Sequence, residues 1–425
     1  MRILLLLSVF ALAVSAQTTY VLKAARMFNG KSDAVVQPGL IVISGNKIQS
    51  VGGSIPPGAT VIDLGDATLL PGFIDSHTHL SQEFSSDYNA ARLAALQRPV
   101  AETAIRATVN ARKTLMAGFT TVRDVGSADF VDVGLRNSIN AGIVPGPRML
   151  VSVHALGGTG GHCDRGDDIR FGLLKETGPE DGVINSPDEA RFAVRWNIKY
   201  GADIIKTCAT GGVLSPTDAV DLPQLSQAEL DALVSAAHEL GRKTAAHAHG
   251  SEGAKRAIRA GIDSIEHGTF LDDEALRMMR ERGTYLVPTL SVRTGIAESK
   301  FPPIVQAKAD AALKAQDDLV RRALKIGVKI ALGTDAAVYP HGNNALEFML
   351  MANDGMTPAE SLRAGTSVAS ELLGMSALVG SLEAGKFADI VAVPGNPLQD
   401  IKLTQAVSFV MKNGVIYRNE QSTGK

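Results

Sequence analysis

The stretch GFIDSHTHL, residues 72–80, sets His77 and His79 either side of one threonine at the end of an apolar run. Side chains alternate faces along a strand, so the two imidazoles share a face and Thr78 points the other way. Neutral imidazole is a ligand for divalent cations, and two on one strand face supply half of a metal site. Left without partners in a core, they would be costly. An isolated His-X-His is weak evidence, so the missing ligands must come from elsewhere in the chain.

Four further residues meet that need. Lys206 lies in DIIKTCAT, His247 closes KTAAHAHG, His267 closes SIEHGTF and Asp335 closes KIALGTDA. Each is a metal-capable or charge-bearing group at the C-terminal end of a strand-like run. Six such residues on five strands make a pattern that one alone could not.

The elements that must hold them alternate strand and helix. Eight strand-like runs, from ATLLPGFIDSH through TTVRDVG, RMLVSVH, DIIKTCAT, KTAAHAHG, SIEHGTF and YLVPTL to KIALGTDA, are separated mostly by alanine-rich amphipathic stretches. Ser186-Pro187-Asp188-Glu189, Ser226-Gln227-Ala228-Glu229 and Thr357-Pro358-Ala359-Glu360 have capping-box spacing, two of them with Pro at the first helical position. Eight βα units predict an α/β fold, a TIM-type (β/α)8 barrel whose chemistry sits at the C-terminal ends of its strands. A doubly wound sheet is the alternative, but no glycine-rich phosphate fingerprint opens the first unit. Residues 19–66 and the C-terminal stretch read as short strands with hairpin turns, Asn413-Gly414 among them. They predict a small β-sandwich domain made by both termini. The expected division is a signal peptide at 1–16, the sandwich at 17–70 and 376–425, and the barrel at 71–375.

Together these residues resemble the amidohydrolase superfamily. LLPGFIDSHTHL near the start and GSLEAGKFADIVAV near the end carry the likeness across nearly the whole mature chain. The resemblance implies two divalent metal ions, zinc foremost, with His77, His79 and Asp335 on the first and His247 and His267 on the second. Lys206, carboxylated by CO₂, would bridge them. Two neighbouring cations repel, so an anionic bridge is what the chemistry asks for. A desolvated lysine facing two cations has its pKa pushed down, and its neutral amine can add CO₂. Water held between the ions ionises near neutral pH and becomes the nucleophile of amide hydrolysis, with Asp335 as general acid–base.

Within the superfamily, IIKTCATGGVLSPTD with AAHAHG and SIEHGTF is most similar to prolidase-like metallocarboxypeptidases, Xaa-Pro dipeptidases and ochratoxin-hydrolysing enzymes among them. That implies cleavage of dipeptides or N-acyl amino acids bearing a free carboxylate, including ochratoxin A to ochratoxin alpha and phenylalanine. It also implies a ring-shaped homo-oligomer, such as an octamer. His154 and His249 are candidates for holding substrate, with His162 in ALGGTGGHCD a further one. Arg123 and Asp124 read as a structural pair, and His238 as a helix-end histidine. The rival within the class is a cyclic-amide hydrolase or imidazolonepropionase-like enzyme with one metal, in which Lys206 is an ordinary strand-end lysine. Outside the class, the rival is a barrel that assembles without chemistry. Deamination is disfavoured, because Ala246 and Ala248 stand where an acid would flank His247.

Composition sets the outer bounds. The 425 residues carry a formal net charge of −2 and 5% aromatics, so neither a basic face nor a stacking platform for nucleic acid is indicated. MRILLLLSVFALAVSAQ reads as a secretory signal peptide, too short for a membrane span, and makes the mature chain secreted or periplasmic with no membrane attachment. Cys163 and Cys208 are too few for a disulfide framework and are expected as buried free thiols, with a single bond between them as the alternative.

Overall fold

The computed structural model describes residues 18–166 and 169–420; the signal-peptide reading of residues 1–16 lies outside the described residues. The chain begins with six short strands: β1 (Thr19–Ala24), β2 (Arg26–Met27), β3 (Gly39–Ser44), β4 (Lys47–Val51), β5 (Thr60–Asp63) and β6 (Ala67–Pro71). Seven more follow between helices: β7 (Phe73–Thr78), β8 (Phe119–Asp124), β9 (Arg148–Val151), β10 (Ile204–Cys208), β11 (Lys243–Gly250), β12 (Ser264–Phe270) and β13 (Tyr285–Val287). The last three are β14 (Ile390–Pro394), β15 (Phe409–Lys412) and β16 (Val415–Asn419).

The two ends of the chain meet. One sheet has the order β4-β3-β1-β5 and another β16-β15-β14-β6-β2. Leu22, Ile41 and Ile43 from the first sheet share a buried cluster with Leu69, Ile390 and Phe409 from the second. This burial is what holds two small sheets face to face. Asn413 and Gly414 both take positive φ, 50° and 74°, as a two-residue hairpin turn between β15 and β16 requires.

Two runs of parallel strands, β7-β8-β9 and β10-β11-β12-β13, carry the centre of the molecule. Parallel bridges Leu156–Thr207, Leu286–Ile330 and Thr78–Ala336 link them. A hydrogen-bonded circuit thus passes through seven strands and the segment 330–336 and returns to β7. Eight parallel segments is the number a TIM-type barrel needs. The eighth run, KIALGTDA, departs from the sequence expectation: it is held by isolated bridges and is not a regular strand. Asp335 and Ala337 take positive φ, 58° and 128°, which no extended strand accommodates. Gly333 lets this segment press on β7, since a Cβ there would come within 2.9 Å of His77 Cβ.

Helices start where the capping signals lie. Ser226 with Glu229 and Thr357 with Glu360 form reciprocal capping boxes. At Ser186 only half the box forms: its hydroxyl accepts from Glu189 N–H, but the Glu189 carboxylate accepts from Asn185 N–H at 2.6 Å. Among the described residues no helix is long and apolar enough to cross a membrane.

The cysteines overturn the free-thiol expectation. Cys163 and Cys208 form a disulfide across a sequence separation of 45, with Cα atoms 5.9 Å apart. The loop after β9 lies along β10, with Leu156 N–H donating to Lys206 O and Cys208 N–H to Leu156 O, each near 2.9 Å. That pairing, made by the barrel and not by local sequence, brings the two sulfurs together.

Candidate metal centre

His77 and His79 leave the end of β7 on one face, their rings 5.3 Å apart. Simple alternation does not deliver His267. Its neighbour Glu266 bonds His77, yet the His267 ring is itself 5.1 Å from the His77 ring. His267 and Gly268 adopt φ of 70° and 67°, breaking the pleat so that two consecutive side chains reach the same region. Asp335 is also left-handed. Non-glycine residues in this region store strain that the surrounding structure must hold, and such residues cluster at functional sites.

The side chains converge. Asp335 Oδ1 lies 3.5 Å from His77 Nε2 and 3.3 Å from His79 Nε2. The His247 ring is 4.6 Å from that of His267 and 4.7 Å from that of His249, and His249 stacks on His267 at 4.9 Å. Potential ligand atoms of His77, His267 and Asp335 lie within 4.8 Å of one another, and so do those of His247, His249 and His267. Lys206 is buried and lines the same cavity, and its amine makes no hydrogen bond among the described residues.

Each imidazole has one nitrogen engaged by the protein. His77 Nδ1 meets Glu266 Oε2 at 2.7 Å, and His79 Nδ1 donates to Gly126 O at 3.1 Å. His267 Nδ1 pairs with Thr289 Oγ1 and His249 Nδ1 with Thr269 Oγ1, both at 2.8 Å, while His247 Nε2 donates to Gly211 O at 3.2 Å. The second nitrogens of His77 and His79 face Asp335 Oδ1 and those of the other rings are not engaged in this way, so one nitrogen is fixed by the protein and the other turned to the cluster, the arrangement that orients histidines around a metal.

Electrostatics hold four of the rings neutral and leave His79 the exception, where burial is outweighed by Asp335, which raises the pKa above the usual imidazole value. Burial, with help from Lys206, pushes His77 down to about 4, and burial likewise takes His249 to about 3 and His247 and His267 well below the usual range. The His77–Glu266 contact is therefore a hydrogen bond from a neutral ring. Burial works against the Glu266 carboxylate, but Arg123 and His77 hold it down at about 2. Asp335 behaves alike: burial opposes, and His77 and His79 keep it well below the ordinary carboxylate range. Burial lowers Lys206 to about 8 against the pull of Glu266 and Asp335. Neutral imidazoles at His77, His247, His249 and His267, a fifth imidazole at His79, an ionised carboxylate and an amine of lowered pKa are a donor set that fits divalent cations.

All eight candidate residues line one cavity of about 500 Å³. His249 sits within the imidazole cluster, grouped with two expected ligands and not apart above them. His154 lies three residues beyond the end of β9, its ring 5.5 Å from that of Phe130. His162 stacks on His247 at 4.2 Å and pairs through Nδ1 with Ser215 Oγ. His238 bonds Asp263 at 2.9 Å, away from the cavity. Arg123 and Asp124 do not pair with each other. Arg123 reaches Ser76 O, Ser264 and Glu266, while Asp124 accepts from Leu80 N–H at 2.6 Å, as neighbours on opposite strand faces must.

Sequence reasoning missed Glu266, and with it the task of Arg123. A buried arginine on a barrel strand calls for an acid partner. The Glu266-His267 dipeptide offered one, hidden by the assumption that alternation separates them.

The model of the amidohydrolase family matches residues 68–417 of this chain. The solved structure of a Xaa-Pro dipeptidase with methionine bound in its active site aligns with a TM-score of 0.89 and 42% identity, covering 95% of this chain and 100% of that one. The ochratoxinase of Aspergillus niger is 35% identical over 379 residues, 82% of this chain and 75% of the relative. Imidazolonepropionase of Pseudomonas paraeruginosa is 29% identical over 393 residues, 87% of this chain and 90% of the relative.

Proposed function

The chain belongs to the amidohydrolase family, with prolidase-like and ochratoxinase relatives, and from that premise we propose that it is a binuclear metal-dependent amide hydrolase. Its substrates in this reading are dipeptides or N-acyl amino acids with a free carboxylate, ochratoxin A among them. The observation that carries it is the convergence of His77, His79, Lys206, His247, His267 and Asp335 on one cavity.

Divalent cations held there, zinc in this reading, supply Lewis-acid polarisation of the amide carbonyl and lower the pKa of water. His77, His79 and Asp335 would hold the first, and His247 and His267 the second. Burial lowers Lys206 to about 8, which eases loss of a proton from its ammonium; the neutral amine would add CO₂ with release of a further proton, and the resulting carbamate would supply anionic oxygens to the cations. Asp335 Oδ1, within 3.5 Å of both first-strand imidazoles, takes the proton of the attacking water and returns it to the leaving amine. Glu266 fixes the ring of His77, and Thr289 that of His267.

Export and a homo-oligomeric assembly complete the reading. The Cys163–Cys208 bond supports export, because disulfides persist in oxidising compartments.

One observation favours a second reading. His249 groups with His247 and His267, which lets a single ion be served without Lys206, as an imidazolonepropionase-like enzyme needs. Product release from Xaa-Pro and Xaa-Phe dipeptides and ochratoxin A, measured beside ring opening of a cyclic amide, separates the two. Dipeptide or ochratoxin cleavage is expected. Ring opening with no cleavage of the panel selects the second reading.

A further inference from the structure

Among the described residues the cavity contains three lysine or arginine side chains, Arg92, Arg165 and Lys206. Lys206 is enclosed with the imidazoles. Arg92 is committed to Tyr88, whose hydroxyl it meets at 3.2 Å. Arg165 has neither a hydrogen bond nor an ion pair among the described residues. Asp129, Asp132 and Asp181 lie within electrostatic reach but none pairs with it. Asp181 is itself engaged by Gly178 N–H at 3.2 Å and Lys175 at 3.5 Å.

The backbone that carries Arg165 is anchored. Cys163 is bonded to Cys208 at the end of β10. Asp164 accepts from Gly160 N–H at 2.9 Å and from Gly166 N–H and the Thr177 hydroxyl at 3.0 Å. His154 is close enough for the arginine charge to help depress its pKa, after burial, and its buried Nδ1 has no hydrogen-bond partner among the described residues. A guanidinium without a partner among the described residues, on a tethered loop beside an imidazole nitrogen equally unpartnered there, is a place prepared for an anion. A planar fork of donors matches a carboxylate in two-pronged fashion.

We propose that Arg165 is the specificity-determining residue that receives the substrate carboxylate, with the scissile amide extending from there toward the imidazole cluster. The identification of that anion rests on the amide-hydrolase reading; the existence of an anion site beside His154 does not.

The test is calorimetric binding of 3-phenylpropanoate and its uncharged counterpart 3-phenylpropan-1-ol to the metal-loaded full chain, to Arg165→Gln and to Arg165→Lys. The parent should prefer the acid. Arg165→Gln should weaken the acid about tenfold or more, the alcohol should be unchanged, and Arg165→Lys should recover part of the loss. Equal binding of acid and alcohol by the parent, binding of neither, or acid binding untouched in Arg165→Gln overturns the proposal. Failure of the cleavage panel with Arg165-dependent acid binding intact removes the hydrolase reading alone. Cleavage with an unaltered KM in Arg165→Gln removes this inference alone.

Discussion

The Nδ1 of His77 lies 2.7 Å from Glu266 Oε2, and the other oxygen of that carboxylate accepts from Arg123 Nη2 at 2.8 Å. Glu266 thus fixes a candidate ligand on β7 from β12 while neutralising a buried arginine on β8. Glu266→Gln leaves Arg123 charged and unpaired in the interior. Breaking a buried pair in this way costs about 3–5 kcal/mol. Loss of the group that orients a ligating histidine weakens metal binding about 10–100-fold. Urea unfolding and competition with a chelator measure both; unchanged values in the two assays contradict the role given to Glu266.

The Cys163–Cys208 bond closes a loop spanning 45 residues and holds the segment bearing His162 and Arg165 against β10. Chain entropy in the unfolded state sets its contribution at about 4 kcal/mol. Cys163→Ser with Cys208→Ser should lower the melting temperature and raise KM for carboxylate-bearing substrates more than it lowers kcat. Thermal unfolding and steady-state kinetics check this, and a double variant as stable as its parent would refute it.

Gly333 sits against β7 where a Cβ would stand 2.3 Å from Val287 Cγ1 and 2.9 Å from His77 Cβ. Gly333→Ala must shift one of them. Overpacking costs about 1–3 kcal/mol, and because His77 is one of the two neighbours, metal affinity should fall along with stability. Chelator competition on the variant distinguishes this from a loss of stability alone.

Lys412 is buried at the foot of the terminal sheet and donates to Gly146 O. Burial, with Arg148, lowers its pKa from 10.5 to about 8. Between those two values the unfolded chain binds more protons than the folded one, so this residue makes stability rise with pH across that window. Below pH 8 the full penalty of the buried charge is present. In Lys412→Met, the difference in unfolding free energy from the parent should change between pH 8 and 10.5 and be flat below. A constant difference across the range contradicts the assignment.

Much of this was legible in the sequence because the relevant rules are local. Strand parity placed His77 and His79 together, and Ser226 and Thr357 announced their helices through capping side chains. The strands that carry Lys206 and His247 followed from the order of βα units, though both residues lie inside β10 and β11 and not at their last positions. What stayed hidden depends on tertiary contact or on backbone exceptions. The left-handed φ of His267 and Asp335 carries no signature in residue type, so Glu266 could not be seen as sharing a region with His267. The disulfide joins residues that only the pairing of β10 with the loop after β9 brings near. Arg165 showed nothing in composition; its significance lies in its place in the cavity and in having no partner among the described residues.

The metal pair itself is tested by anomalous diffraction at the zinc edge from crystals of zinc-loaded protein, combined with metal counting on the parent and on His77→Ala. Two peaks per chain are predicted, one coordinated by His77, His79 and Asp335 and one by His247 and His267, with density extending from Lys206 Nζ to both. His77→Ala should lose metal and amide cleavage together. The absence of any peak within coordinating distance of these side chains, or full metal content and cleavage in His77→Ala, contradicts the proposed centre.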